Sequence, residues 1–393
     1  MDKMICEIIR GVLWNTPVKE HTSEEWAEAY KEVKEHRIEL LFIEALPIWE
    51  IPADIRNTWK LDCYLSTAHN VQILSLQREI HELLIKEHIE YAIIKGSAAA
   101  VYYPHPLYRP AGDIDIIVSD KDFERAHALF NGYLGVPSIG SKHNGKIREY
   151  VYVKDFCAVE LHQSYAILAN KDFDRILDSW IKDDIQNYTR MIEENYQFCM
   201  TSELINGLVL LAHIAQHLEG GLGLRQILDW MMYVDKCLQD EKWPAFQDMA
   251  RKVGLEKLAI ATTRMCQIYL GLSTEKMHWA ENADLGLCHE LMEFVLACGN
   301  FGNKKGNNNI VSMIVSRNQG IITFFRNLQK RGISNWSILR KYPFLRPLAW
   351  IYQGCRYIRR GMGRKIPLKE LRMDFVEGKK RDKLLKMLGV KNK

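Results

Sequence analysis

The sequence predicts an α+β protein in which a small mixed β-sheet with flanking helices is inserted in a mostly helical chain. Three observations carry that prediction. Short isoleucine-rich or alternating segments fall between residues 91 and 162. The residues before them place apolar side chains at helical spacing, and so do the residues from about 172 onward.

The elements follow in order. "HTSEEWAEAYKEVKEHRIELLF" opens on Thr22 with Glu25 three positions later, a capping-box pattern, and then spaces Trp26, Tyr30 and Val33 as a helix does. The stretch from Ala53 takes Asp54 as its N-cap and runs without glycine or proline to residue 90, as one long amphipathic helix or two. "YAIIK" and "DIDIIV" read as buried strands, whereas "IREYVYVK" and "FCAVELHQS" alternate and are joined by a hairpin turn at Lys154-Asp155. Between the two pairs, "SDKDFERAHALFNGYLG" is a helix with Ser119 as N-cap. Six helical segments follow between residues 172 and 299, from "DFDRILDSWIK" to "DLGLCHELMEFVLACG". "GNFGNKKGNNN", residues 299–309, is the strongest linker signal, and further helices with a basic tail come after it.

At 393 residues the chain exceeds what one core usually supports. It divides by pattern into an N-terminal helical segment (1–89), a sheet-containing core (90–170), a helical domain forming the other wall of a cleft (171–300) and a basic helical region (301–393). Charged residues make up 26% and no apolar run reaches the roughly 18 residues of a membrane-spanning helix. The start carries no secretion-signal pattern, and the nine cysteines form no C-x-x-C pair, which argues against a zinc ribbon, a redox motif or a disulfide framework. These features predict a cytoplasmic protein. From Arg326 to the end there are 20 Lys and Arg against 4 Asp and Glu, while residues 1–325 carry a balance of −12. Such a tail suits an anionic polymer or a peripheral contact with an acidic membrane; docking on the chain's own acidic body accounts for it equally.

The chemistry concentrates in "IIKGSAAAVYYPHPLYRPAGDIDIIV", residues 93–118. In a strand Asp113 and Asp115 share one face, so Ile114 and Ile116 can be buried while the carboxylates converge. Two carboxylates this close repel each other and favour a cation, with Mg²⁺ the first candidate and Mn²⁺ the second. In "AVELH" Glu160 and His162 point together, and an adjacent strand could bring Glu160 beside the pair as a third ligand. Gly96 and Ser97 end the first strand, where backbone N–H groups and a hydroxyl can meet a phosphate, and Lys95 and Arg109 flank them as cations for a triphosphate. In the plainer alternative the aspartates cap the strand and pair with Lys95 and Arg109.

The order K-G-S, D-I-D, V-E-L on successive strands resembles the DNA polymerase β-like nucleotidyltransferase superfamily. More narrowly, the segment looks like an uncharacterised bacterial nucleotidyltransferase family with a K-G…R…D-[IL]-D-[IL] signature. The motif region covers residues 93–162, and the helical surroundings extend the likeness over most of the chain. The resemblance implies that Gly96 and Ser97 hold the phosphates of ATP or another NTP, and that Asp113, Asp115 and Glu160 bind the metal. Lys95 departs from the apolar residue usual in the broad superfamily, and the third acid is Glu rather than Asp. The implied reaction is Mg²⁺-dependent transfer of a nucleoside monophosphate from an NTP to an acceptor, a small molecule, sugar phosphate, RNA or protein, with release of pyrophosphate. A D-x-D metal-dependent glycosyltransferase and a non-catalytic nucleotide-binding or toxin–antitoxin-type regulator are the alternatives.

His213 and His217, four apart on a helix, suit either a zinc pair or a structural face lining the cleft opposite the carboxylates. His162 could orient a carboxylate or an acceptor, or be structural. Tyr102, Tyr103 and Tyr108 read as packing. "LRPLAWIYQGCRYIRRGMGRK" interleaves aromatics with arginines and could lie on a membrane or track an anionic polymer.

Overall fold

The computed structural model describes residues 3–143, 146–185, 189–193, 196–218 and 220–300 continuously, and then shorter stretches, of which 342–362 and 368–391 are the longest. Residues 1–304 with 387–393 form one compact unit, and 305–386 form a second. The division falls inside the glycine- and asparagine-rich stretch, whose residues 305–309 lie outside the described residues.

Helices α1 (Met4–Trp14), α2 (Ser23–His36) and α3 (Ala53–Lys86) lead the chain. The Thr22 hydroxyl accepts from the Glu25 N–H, and the Glu25 carboxylate accepts from the Thr22 N–H at 2.8 Å, so the capping box fixes the start of α2. Helix α3 starts two residues earlier than the sequence suggests. Pro52 is its N-cap, and Asp54 sits in the first turn, where its charge still favours the helix dipole.

The sheet then forms from β1 (Tyr91–Ile94), β2 (Asp113–Val118), β3 (Ser138–His143), β4 (Lys146–Lys154) and β5 (Cys157–His162), in the spatial order β1-β2-β5-β4-β3. Only β2 and β5 run parallel, so the sheet is mixed. Helices α4 (Gly96–Ala100) and α5 (Phe123–Leu134) lie between the first strands. Asp122, not Ser119, is the residue that precedes α5; the Ser119 hydroxyl donates to the Asp122 carboxylate at 2.9 Å. The β4–β5 turn centres on Asp155 and Phe156, both at positive φ, as a two-residue type I′ connection requires.

One face of this sheet is apolar. The register aligns Ile114 with Val159 and Tyr152, and Ile116 with Leu161 and Tyr150. Helix α5 covers them, with Phe130 packed edge-on to Tyr152 at 5.5 Å and Phe123 stacked on Tyr150 at 5.9 Å. These rings anchor the sheet, since emptying one such aromatic position costs about 3–5 kcal/mol. The opposite face carries Asp113, Asp115, Glu149, Glu160 and His162.

Helix α6 (Lys171–Asp184), capped by the Asn170 side chain, leads to a ribbon of β6 (Thr189–Glu193) and β7 (Tyr196–Cys199). Met200 then pairs with Ile93 and so shields part of the open edge of β1. Helices α7 (Glu203–Leu218), α8 (Leu224–Cys237), α9 (Trp243–Lys252), α10 (Glu256–Tyr269) and α11 (Leu285–Cys298) complete the first unit up to the linker. A Cβ on Gly207 would come within 2.4 Å of the Tyr233 ring, so α7 and α8 approach each other through that missing side chain. The second unit contains α12 (Ala349–Met362) and most of α13 (Leu368–Met387). Among the described residues no helix is long and apolar enough to cross a membrane.

His36 ties α2 to α8: its Nδ1 accepts the Leu224 N–H at 3.1 Å. Burial, aided by Lys304 and Lys3, lowers its pKa to about 3. Above the ordinary histidine pKa of about 6.5 both folded and unfolded chains are neutral here, and nothing is lost. Below it the unfolded chain takes up a proton that the folded site refuses, so stability should fall by up to about 1.4 kcal/mol per pH unit until pH 3 is approached. Denaturant midpoints of wild type and His36→Gln across pH 4–8 test this; the variant should have the flatter profile.

Candidate active site

The site is built where β1 ends. Ile94 pairs with Asp115, and the chain then turns at Lys95, whose φ of 60° and ψ of −147° are strained for a residue with a side chain. Gly96 follows at φ 37°, a backbone conformation that residues with a side chain rarely adopt. This turn sends the Lys95 ammonium back to Asp115 Oδ1 at 2.6 Å, beneath the Tyr165 ring. Burial opposes the ammonium's charge, but Asp115, with Tyr165, Asp113 and Glu160, outweighs it and raises the lysine pKa.

The register aligns Asp115 directly with Glu160, and His162 with Glu149. His162 is entirely buried and sits among all three carboxylates: its Nε2 is 2.9 Å from Asp115 and 3.4 Å from Glu160, and its Nδ1 is 3.2 Å from Glu149. Burial works against protonation, yet these three partners raise its pKa to about 10. The imidazolium therefore holds three carboxylates in place. Glu160 is lowered despite burial because His162 and Lys95 favour its ionised form, and Glu149 is lowered to about 2 by His162 and Arg148 against the same burial cost. Asp113 behaves oppositely: the Asp115 charge, with burial, raises its pKa.

These groups floor a cavity of about 330 Å³. Its far wall is helical, with His213, Gln216 and His217 from α7 and Arg225 from α8. Arg148 and Arg109 flank it. His213 and His217 share a hydrogen bond between their Nε2 atoms at 2.8 Å. Burial, then neighbouring cations including Lys95 and Arg225, lowers both pKa values, that of His217 to about 4, so the pair is neutral at pH 7. Asn206 of α7 donates to the Ala98 carbonyl and the Tyr102 hydroxyl, both at 2.9 Å, and fixes this wall to the turn after β1.

Of the seven site residues named from sequence, Lys95, Gly96, Arg109, Asp113, Asp115 and Glu160 line this cavity. Ser97 does not. It is buried, and its hydroxyl donates to Gln77 Oε1 at 2.7 Å, beside a separate small pocket under α3. Arg109 is committed to Asp229 of α8 by two hydrogen bonds of 3.0 and 2.6 Å, not to the aspartate pair. The Tyr103 hydroxyl adds a third bond to Asp229 at 2.9 Å. Asn70 of α3 accepts from the Ala111 N–H and donates to the Leu107 and Arg109 carbonyls, which pins the loop that carries Arg109.

Sequence reasoning did not name Arg148, Glu149, Arg225 or Asp229. For the last two a signal was present: Arg225 and Asp229 are four apart, and Asp229 stands alone among the apolar residues 227–234, a pattern that calls for a buried charge partner.

Residues 22–271 match the model of a family described as an uncharacterised nucleotidyltransferase. The chain belongs to that family. No curated protein matches it. The match spans the sheet and its cavity together with helices α7 to α10, so both walls of the cavity belong to the family's common region. Nucleotidyltransferases ordinarily use divalent metal ions, and the donors here suit one. Asp115 Oδ2 is buried without a hydrogen-bond partner, and Asp113 is destabilised by its neighbour's charge in the way a cation would relieve. Among the described residues, the three groups that bring single donor atoms within 4.8 Å of one another are Asp115, Glu160 and His162. His162 stands in that set where Asp113 was expected, but as an imidazolium it offers no lone pair to a metal, and Asp113 lies one pleat along the same face.

Proposed function

We propose that the protein is a Mg²⁺-dependent nucleotidyltransferase that moves a nucleoside monophosphate from an NTP to an acceptor hydroxyl and releases pyrophosphate. The observation that carries this is the charge arrangement of one cavity: carboxylates on the sheet floor, with a buried unsatisfied oxygen on Asp115, facing cations on the walls. Asp113, Asp115 and Glu160 would hold the metal, which, when bound, would neutralise phosphate charge and favour the ionised acceptor. Arg225 and Arg148 offset the charge of the triphosphate, and Lys95 holds Asp115 in place. Glu160, ionised at neutral pH, accepts the acceptor's proton as the acceptor oxygen bonds to the α-phosphorus and the bond to the pyrophosphate oxygen breaks. The neutral pair His213 and His217 contacts the acceptor from the opposite wall. Positioning and charge neutralisation supply most of the rate, as phosphoryl chemistry requires.

Incubation with each α-labelled NTP and Mg²⁺, in the presence of small-molecule, RNA or protein pools, tests the reading. Pyrophosphate release with transfer of label is expected, and Glu160→Gln should reduce it by about 10²–10³-fold. Nucleotide binding without pyrophosphate release from any pool would favour a regulatory protein. Sugar transfer from a nucleotide-sugar, undiminished in Glu160→Ala and with no pyrophosphate released from any NTP, would favour a D-x-D glycosyltransferase.

A further inference from the structure

Asp115 meets two protein cations on a single oxygen. Its Oδ1 lies 2.6 Å from Lys95 Nζ and 2.9 Å from His162 Nε2, which uses both lone pairs of that atom and leaves Oδ2 as the oxygen a metal can take. The two cations pair with Asp115 and not with Asp113. Both are held where they are by their surroundings. Lys95 occupies the strained turn after β1, with its side chain 13% exposed and its Nζ 5.6 Å from the centre of the Tyr165 ring. Tyr165 is itself fixed: its hydroxyl donates to the Val209 carbonyl at 3.0 Å, and its own carbonyl accepts from Arg148 at 2.9 Å. His162 is fully buried on β5, opposite Glu149 in the register, with its Nδ1 3.2 Å from that carboxylate.

Paired metal ions that carry out phosphoryl displacement sit about 3.5–4 Å apart, and a carboxylate that joins them gives an oxygen to each. Asp115 is the central acid of the three, aligned with Glu160 across the strands and one pleat from Asp113, so it is the residue that would have to join two ions. With Oδ1 taken, it can serve one. Lys95 and His162 meanwhile bring two positive charges to that oxygen, as many as a second divalent ion would bring. An ion placed beside Oδ1 would meet the repulsion of both in a buried site, where such repulsion is strongest.

We infer that the site takes one divalent ion per bound nucleotide, and that Lys95, backed by His162, supplies the charge that a second ion gives in two-metal enzymes of the same chemistry. The inference rests on the nucleotidyl-transfer reading and says how the carboxylates of that site are shared between a metal and the protein's own cations.

The test is Mn²⁺ binding by the full chain at a saturating concentration of a non-hydrolysable NTP analogue, read by equilibrium dialysis and by electron paramagnetic resonance. One Mn²⁺ per bound nucleotide is expected, with the spectrum of an isolated ion. Lys95→Met uncovers Asp115 Oδ1 and should admit a second Mn²⁺, seen as a rise to two per nucleotide and as spin coupling between neighbouring ions. Lys95→Arg keeps the charge and should stay at one. Melting temperatures show which variants fold, and the wild-type count decides the matter even if Lys95→Met does not. Two coupled ions per nucleotide in the wild type would overturn the inference and leave the nucleotidyl-transfer reading standing. A folded, nucleotide-binding Lys95→Met that still takes one ion would overturn it too. Failure of the wild type to bind any analogue would overturn both.

Discussion

Replacing Asp113 by asparagine should leave the protein at least as stable as the parent while reducing Mg²⁺-dependent nucleotide affinity about 100-fold or more. The two halves of that expectation have different causes. Asp113 is raised in pKa by the charge of Asp115 and by burial, so removing its charge relieves repulsion in the folded state. Its loss is felt only when a cation and a triphosphate must be held, where a charge-stabilising group in a water-poor site is worth roughly 10²–10³-fold. Asp115→Asn should behave differently. Asp115 is 1% exposed and pairs with Lys95 at 2.6 Å and His162 at 2.9 Å, and breaking such a buried pair costs about 3–5 kcal/mol because the partners' charges remain buried. Denaturant midpoints and nucleotide titrations on the two variants check the contrast. Equal destabilisation of both would show that the strand face works as a structural charge cluster in which neither aspartate is spared for a ligand.

Arg109→Met should cost about 3–5 kcal/mol, through a residue that only borders the chemistry. Its guanidinium forks onto Asp229 with both groups almost fully buried, and Tyr103 depends on the same carboxylate. Arg109→Lys should be nearly as damaging, since an ammonium cannot reproduce the two parallel bonds. Restoring balance by removing both charges, as Arg109→Met/Asp229→Leu, should recover much of the loss. A double-mutant cycle on denaturant midpoints gives the coupling directly. A coupling near zero would mean that the loop and α8 are held by packing and by Asn70 alone.

How far the sequence could be read depended on whether a feature was local. Alternation alone put Asp113 and Asp115 on one face and Glu160 with His162 on another strand, and the capping box at Thr22 was complete within four residues. Helices α6 to α11 were legible because each carries its own apolar stripe. The strand β3 was not. "SIGSKH" has little β propensity and no apolar alternation, and it pairs at the sheet edge with two register shifts. The ribbon of β6 and β7 was missed as well. The fate of Ser97 and Arg109 was equally hidden, because Gln77 is 20 residues away and Asp229 is 120. Glu149 reads as one more charge on a half-exposed strand until the pairing of β4 with β5 brings it opposite His162. Lys95 was expected to neutralise a phosphate, and the strained turn instead folds it onto Asp115.

The central claim is that one cavity binds a nucleoside triphosphate through its carboxylate floor and a divalent ion. Calorimetric titration of non-hydrolysable analogues of the four NTPs, with and without Mg²⁺, on wild type and Asp113→Asn, tests it most directly. Binding that requires Mg²⁺ and is lost in a variant of undiminished stability is the predicted result; failure of every analogue to bind wild type with Mg²⁺ present, or binding unaffected by both Mg²⁺ and the substitution, would contradict it.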